Sequence, residues 1–247
     1  MRLDEVAGKW RFQMKKIFVM IFILSAIFVV TIYGLEVEYL QEDIEMLIIE
    51  ATAKTNDLEQ KLISLEYTKD AINRGNNSAE KIIKIIHTLE FLYMDAIENY
   101  RDVSDFIQVR EKVAMYLGNI SAVEAENVLI LILQNDDEEI VLVNALISLG
   151  KIGINESGET ITNIVLCFNR NQFIDGLLSP NIALATIDAL GKIARRNNII
   201  LDPDAMGILS FISLEAGYER SIRETAMVEY EYWLFIINNY KRKLLEE

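Results

Sequence analysis

Four groups of residues in this chain have types and spacings that could do chemistry. Gly150-Lys151-Ile152-Gly153, with Gly158 farther on, has the glycine and lysine content of a loop that wraps backbone N–H groups around a phosphate. It lacks that loop's spacing and its Lys-Ser/Thr ending, so Gly150 reads instead as a point of close helix packing. Asp136-Asp137-Glu138-Glu139 offers carboxylates to a hard cation, but without the alternate spacing of an EF-hand loop. Acids at the start of a helix favour its dipole, and Asp202 and Asp204 read the same way. His87 is the sole imidazole and Cys167 the sole thiol, so neither completes a zinc ligand set or a nucleophile–base pair. Cys167 fits a small core residue in an apolar helix, and His87 a partly exposed helix residue. Carboxylate pairs abound in so acidic a chain, and none is singled out. The expectation is a protein that is not an enzyme and holds no metal or cofactor.

The elements that would position these groups are helices. Only 2 prolines and 11 glycines punctuate 247 residues, 51% apolar and 25% charged, which suits long helices and excludes a turn-rich barrel or sandwich. A single cysteine closes no intrachain disulfide. A net charge of −14 argues against nucleic-acid binding, which rests on neutralising phosphates with Lys and Arg.

The N-terminal residues differ in kind from the rest. Ile17 to Tyr33 carries no charge over a length at the short end of what spans a bilayer as a helix. Arg2, Lys9, Arg11, Lys15 and Lys16 precede it; Glu36, Glu38, Glu42, Asp43, Glu45 and Glu50 follow, and no basic residue appears until Lys54. This asymmetry predicts a cytoplasmic basic N-terminus (1–16), a transmembrane helix (17–34) and an extracytoplasmic remainder, periplasmic if the cell is bacterial. Of 24 basic and 38 acidic residues, five and two lie before the span, leaving 19 and 36, a net −17 beyond it. A cleaved signal peptide shares the charge order, but its small-residue cleavage site is poorly matched here.

Residues 35–100 read as membrane-proximal helices. Leu40, Ile44, Leu47 and Ala51 recur at spacings of four and three, as do Leu58, Leu62 and Leu65. Thr55-Asn56-Asp57 with Glu59 marks a stop and restart, so a helical pair and one long stalk are both open. The stripe fits either a short dimerising coiled coil or packing against the following domain, with Lys54 and Lys61 favouring packing. After a break at Arg74 to Ser78, a helix from Ala79 to about Tyr100 buries Ile82, Ile85, Ile86, Leu89, Leu92, Tyr93 and Ala96.

Residues 101–247 repeat themselves. Val109 to Ile120 aligns without gaps to Val141–Ile152 and Ile182–Ile193, with Leu117, Leu149 and Leu190 before each glycine and an isoleucine two residues after it. Asp105 and Asp137 lie thirteen residues before their glycines, where an aspartate caps an incoming helix. A degenerate fourth copy starts at Ser221-Ile222-Arg223, with Ala226, and places Trp233 at the final isoleucine. A second apolar helix follows each copy: Val123 to Leu133; Ile161, Ile164, Val165 and Phe168; then Ala205, Ile208, Leu209 and Ile212 after the Asp202-Pro203 start. Helix pairs repeated at this period stack into an α-solenoid.

At Asp105, Val109, Arg110, Val113, Ala114, Leu117, Gly118 and Ile120 the chain resembles the HEAT family, in its short phycobilisome-lyase-type form. The resemblance implies HEAT-like hairpins over about Asp105 to Asn239, so that with the N-terminal transmembrane helix the chain is expected to be all-α, a transmembrane helix followed by an α-solenoid of HEAT-like hairpins. Leu142 and Ala183 replace the arginine in the middle copies. The function expected of such an architecture is a membrane-anchored scaffold or adaptor binding one or more proteins outside the cytoplasm. A self-associating structural envelope component is the alternative, and an enzyme subunit related to HEAT-repeat lyases a further one. On the last helix, Ile222, Ala226, Tyr230, Trp233 and Ile237 should face the preceding repeat. Val228, Tyr232 and Phe235 fall on the opposite side, as a candidate protein interface or homo-oligomer contact unless other segments fold back over them.

Overall fold

The computed structural model describes residues 43–75, 77–100, 104–155, 158–197 and 202–246, with side chains to residue 242. The basic N-terminus, the apolar span at 17–34 and Leu40 lie outside the described residues. Among those described, no helix is long and apolar enough to cross a membrane. The chain divides into two compact units, Met1–Ile48 and Ile49–Glu247. Helix α1 comprises residues 43–53.

The described residues are all-α apart from one small hairpin. In the larger unit the helices are α2 (Leu58–Arg74), α3 (Ala79–Tyr100), α4 (Ser104–Leu117), α5 (Val123–Asn135), α6 (Glu139–Ile152), α7 (Glu159–Asn171), α8 (Pro180–Asn197), α9 (Pro203–Leu214) and α10 (Arg220–Glu246). Each packs on its neighbour in sequence and on the helix after that, which sorts them into two rows. Row one holds α2, α4, α6, α8 and α10; row two holds α3, α5, α7 and α9. A helix with one apolar face would be stable at an edge, but these need two buried faces, and α6 accordingly buries Val141, Leu142, Ala145, Leu146, Leu149 and Ile152.

Local signals set the boundaries. The Asp57 side chain accepts from Glu59 N–H at the start of α2, and Gly75, left-handed at φ 73°, ends it. Ser78 accepts from Lys81 N–H before α3, and Asp202 caps α9 through Asp204 and Ala205 N–H ahead of Pro203. The start of α6 differs from expectation. Asp137 is exposed and the capping position is Glu138, whose side chain makes no cap bond; Asp105 lies within the first turn of α4. The carboxylate that organises the turn before α6 is Asp136, which is buried, accepts from Asp137 and Glu138 N–H, and binds Arg110 Nη1 at 2.9 Å. Desolvation pushes this carboxyl up, while the backbone donors and Arg110 pull it back.

Row one is held at one register by its repeated glycine. A Cβ on Gly118 would meet Ser148 Cα at 2.9 Å, one on Gly150 would meet Ala189 Cα at 2.8 Å, and one on Gly191 would meet the Glu229 carboxylate. Ser148, Ala189 and Glu229 each stand two residues before the glycine position of the next copy, so the same repeat position faces the glycine each time, through backbone at Ser148 and Ala189 and through the side-chain carboxylate at Glu229. Glu231 thereby occupies the glycine position of the fourth copy, and Trp233, fully buried, its closing isoleucine. Ser148 Oγ donates to Ala114 O at 2.8 Å, and Lys151 Nζ donates to Asn119 Oδ1, so polar bonds follow the same register.

The longer spacing before the third copy holds a hairpin that the periodicity does not suggest. β1 (Phe173–Ile174) pairs antiparallel with β2 (Leu177–Leu178). Asp175 and Gly176 turn it, both at positive φ, which Asp-Gly accommodates. Leu178 lies on Gly217, where a Cβ would meet its Cδ1 at 2.5 Å.

The leucine stripe of α2 is only partly a core stripe. Leu65 is buried, but Leu58 and Leu62 are half-buried, and Lys61, Ser64 and Thr68 lie inside instead. Each buried polar group is satisfied: Ser64 Oγ donates to Ile49 O, Thr68 Oγ1 to Ser64 O, and Lys61 Nζ to Ala53 O while pairing with Asp95 at 2.7 Å.

Candidate interaction surface

The residues with chemical potential in the sequence are spent on structure. Of the loop-like run, Gly150 admits α8, Lys151 bonds Asn119, and Gly153, at φ 67°, ends α6 by donating to Leu149 O. Cys167 is buried, its thiol pushed up to about 11 by desolvation despite the amide of Asn171 beside it. His87 is exposed on α3 at the edge of a cavity of about 190 Å³ lined also by Lys84, Thr88 and Phe91. Among the described residues no group of three His, Cys, Asp or Glu is arranged to hold a metal ion.

What the geometry does build is a face. Counted from the repeat glycine, the solvent side of row one carries the residues ten, seven and three before it, and one and four after it. Ile140 stands at the first of these positions, Val143 and Leu184 at the second, and Met115, Ile147 and Val228 at the third. Ile140, Leu184, Met115 and Ile147 are exposed, Ile147 at 41%, and Val143 is half-buried. The last two positions in α10 are Tyr232 and Phe235. Because α4, α6, α8 and α10 share a register, these side chains line one layer of neighbouring helices rather than scattering over the surface. Single exposed apolar residues are ordinary, but recurrence at equivalent positions on adjacent helices is what an interface core requires.

The three α10 candidates occupy that face unequally. Val228 is 61% exposed and Phe235 63%, whereas Tyr232 is half-buried. Arg195 of α8 lies over the Tyr232 ring at 4.8 Å and pairs with Glu229 at 2.6 Å, a hydrogen bond that raises the guanidinium's pKa. On the opposite side of the helix Ile222, Ala226 and Trp233 are buried, and Tyr230 and Ile237 half-buried.

Charges frame the apolar positions with both signs. Glu111, Lys151, Asp188, Lys192 and Arg195 lie on the same face, and Lys192 pairs with Asp188 at 2.7 Å. Beside it, between α2 and α4, Glu66 receives Lys112 Nζ at 2.6 Å, Lys69 Nζ at 3.0 Å and the Tyr116 hydroxyl at 3.3 Å. The Lys112 and Lys69 hydrogen bonds hold the Glu66 carboxyl down at about 2.

Periodicity finds Val228, Tyr232 and Phe235 because α10 has polar residues between its stripes. It misses Ile140 and Ile147, whose helix α6 is apolar on nearly every side, and Leu184, a lone apolar residue on the polar side of α8. Row two also exposes apolar residues, Ile83 and Phe91 on α3 and Phe211 and Leu214 on α9, while on its middle helices α5 and α7 the exposed Val123 and Leu166 share their helices with the exposed polar residues Asn127, Gln134, Thr162, Asn169 and Arg170. The hairpin adds exposed Phe173 and Leu177. Comparisons with protein-family models, curated proteins and solved structures return no match for this chain.

Proposed function

We propose that this chain is a membrane-anchored binding scaffold, an α-solenoid of HEAT-like hairpins that offers the solvent face of row one to a protein partner. One observation carries the reading: Met115 and Ile147 are exposed at the same repeat position of adjacent α4 and α6, and Leu184 is exposed on α8 at the position that half-buried Val143 holds on α6, framed by charges of both signs. Buried apolar centres with polar rims are how proteins recognise one another, and repeat folds supply the extended surfaces to do it. The stacked helix pairs and the close backbone approach at both Gly118 and Gly150 support the HEAT-like reading, in which Arg110 and Gly118 are packing residues.

Residues 17–34 supply the anchor, and the basic residues before them with the acids after them favour a helical body outside the cytoplasm. No catalytic step is assigned to it. The test is Ile147→Glu together with Leu184→Glu. Both side chains are exposed, so the pair should change stability by no more than about 1 kcal/mol, surface substitutions lying within about 0.5 kcal/mol each. Partner capture by the full chain should be lost. Retained capture at unchanged stability refutes the assignment of this face.

A further inference from the structure

The two outermost helices of row one, α2 and α10, fit one another by the register of the repeats. α6, α8 and α10 begin at Glu139, Pro180 and Arg220, each eleven residues before its glycine position, which is Gly150, Gly191 and Glu231. By the same count from Leu58, Lys69 holds that position in α2. Burial agrees: Ser64, Thr68 and Ala71 then match Ala145, Leu149 and Ile152, and Lys61 matches Arg110, all of them buried. Tyr116, two residues before Gly118, accordingly reaches α2 at Glu66, which is bonded to Lys69.

Within row one, the glycine position of each helix faces the residue two before that position on the next. The same offset, carried past α10 onto the α2 of another molecule, sets Glu231 against Tyr67, Met227 against Ile63 and Arg223 against Glu59. Each pair is chemically matched: a phenol meets a carboxylate, two apolar side chains meet, and a guanidinium meets a carboxylate. We propose that the solenoid assembles head to tail, with α10 of one copy stacking on α2 of a second copy in the row-one register.

Both faces are open for this contact. Glu59, Ile63 and Tyr67 line a groove of about 580 Å³ on α2, and Tyr67 is 42% exposed. On α10, Met227 and Glu231 are exposed, and Arg223 Nε is buried with no hydrogen-bond partner among the described residues. Its repeat equivalent, Arg110, pairs with Asp136 in the turn that leads to the next row-one helix. A carboxylate from the following unit is therefore what this position takes inside the chain, and Glu59 of a second copy would supply it between chains. A terminal repeat that closes a stack turns a polar face outward, whereas here Met227 and Ile63 sit at the centre of the two lines. Because two different surfaces meet, the contact is heterologous and can propagate into a ring or a filament. It uses the ends of row one, leaving the solvent face free to bind a partner, and does not depend on the membrane anchor.

The test is disulfide crosslinking between two variants of the full chain, coexpressed with different epitope tags. Cys167 is buried and stays out of the reaction. Met227→Cys is mixed with Ile63→Cys, and Glu231→Cys with Tyr67→Cys. As controls, Met227→Cys and Glu231→Cys are each mixed with Asn127→Cys, exposed on α5. Circular dichroism checks that each variant is folded. Mild oxidation of intact cells should give dimers carrying both tags in the two matched mixtures. Their yields should be on the order of ten times those of the controls and of each variant alone, because a disulfide needs Cβ atoms within about 4.5 Å. Matched mixtures that give no more dimer than the controls overturn the proposal. So does equal crosslinking of Met227→Cys or Glu231→Cys with itself, which would mean that two α10 helices pair with each other.

Discussion

The close approach of α6 to α8 turns on a single pair of carbon atoms, and replacing Gly150 by alanine addresses it directly. The new Cβ would stand 2.8 Å from Ala189 Cα and 3.4 Å from Ala189 Cβ. Carbon atoms in contact keep about 3.5–4.0 Å, so α6 and α8 must part by about 1 Å along their closest line. The obstruction is backbone, which cannot rotate away, and overpacking of this kind costs about 1–3 kcal/mol. Alanine also gains about 1 kcal/mol over glycine inside a helix, which hides part of the loss. Gly207 of α9 removes that ambiguity: no described atom lies within 4 Å of its would-be Cβ, and it too is helical. Gly207→Ala should therefore stabilise by about 1 kcal/mol, and the gap between the two variants should equal the overpacking cost alone, about 1–3 kcal/mol. For a unit of this size that gap is about 2–12 °C in Tm, read by circular dichroism, or an equivalent shift of urea midpoint. Two variants that move together, in the same direction and by the same amount, would show that α6 and α8 do not approach through Gly150.

Arg110→Ala should cost about 3–5 kcal/mol in urea unfolding, because it leaves Asp136 buried without its guanidinium; a loss under about 1 kcal/mol would show that the pair is not closed in the folded chain. Glu66, held at about 2 when folded against an ordinary 4.5, contributes stability that is present above pH 4.5 and lost as pH falls toward 2. The Tm advantage of wild type over Glu66→Gln should shrink across that window, by an amount that screening of this half-exposed carboxylate keeps small; a constant difference would refute the Lys112 and Lys69 contacts. Cys167 should resist a thiol reagent at pH 8 and react only as the chain unfolds, and rapid stoichiometric labelling of the native protein would contradict its burial.

How much of this was legible depends on whether a helix has one buried face or two. On α7 the apolar period and the buried residues coincide from Ile161 to Phe168, because polar residues occupy most of the other side; on α3 they coincide from Ile85 to Ala96 but Ile82 is only half-buried and Ile83 and Phe91 are exposed, and α9, apolar on most sides, leaves Phe211 and Leu214 exposed. On α6 they separate: Ile140 and Ile147 are as apolar as Val141 and Leu149, and only the position of the neighbouring helices decides which are covered. Lys61 and Asp136 are hidden from periodicity for a different reason. Their burial is made tolerable by partners distant in sequence, Asp95 for one and Arg110 for the other, which no local window contains. The hairpin had a local sign in Asp175-Gly176, but strands of two residues are too short to show alternation. In α1 the spacing of Ile44 and Leu47 was plain, and its meaning was not, since the same stripe serves packing or pairing.

The most direct test of the scaffold assignment is to place a photo-activated crosslinking residue at single positions of the full chain in living cells. Ile147 and Phe235 sample the solvent face of row one, and Asn127 and Thr162, also exposed, sample row two. If row one is the binding face, Ile147 and Phe235 should each yield the same discrete heterologous adduct, and Asn127 and Thr162 should yield none. Adducts confined to Asn127 and Thr162, or no discrete adduct from any of the four, would contradict it.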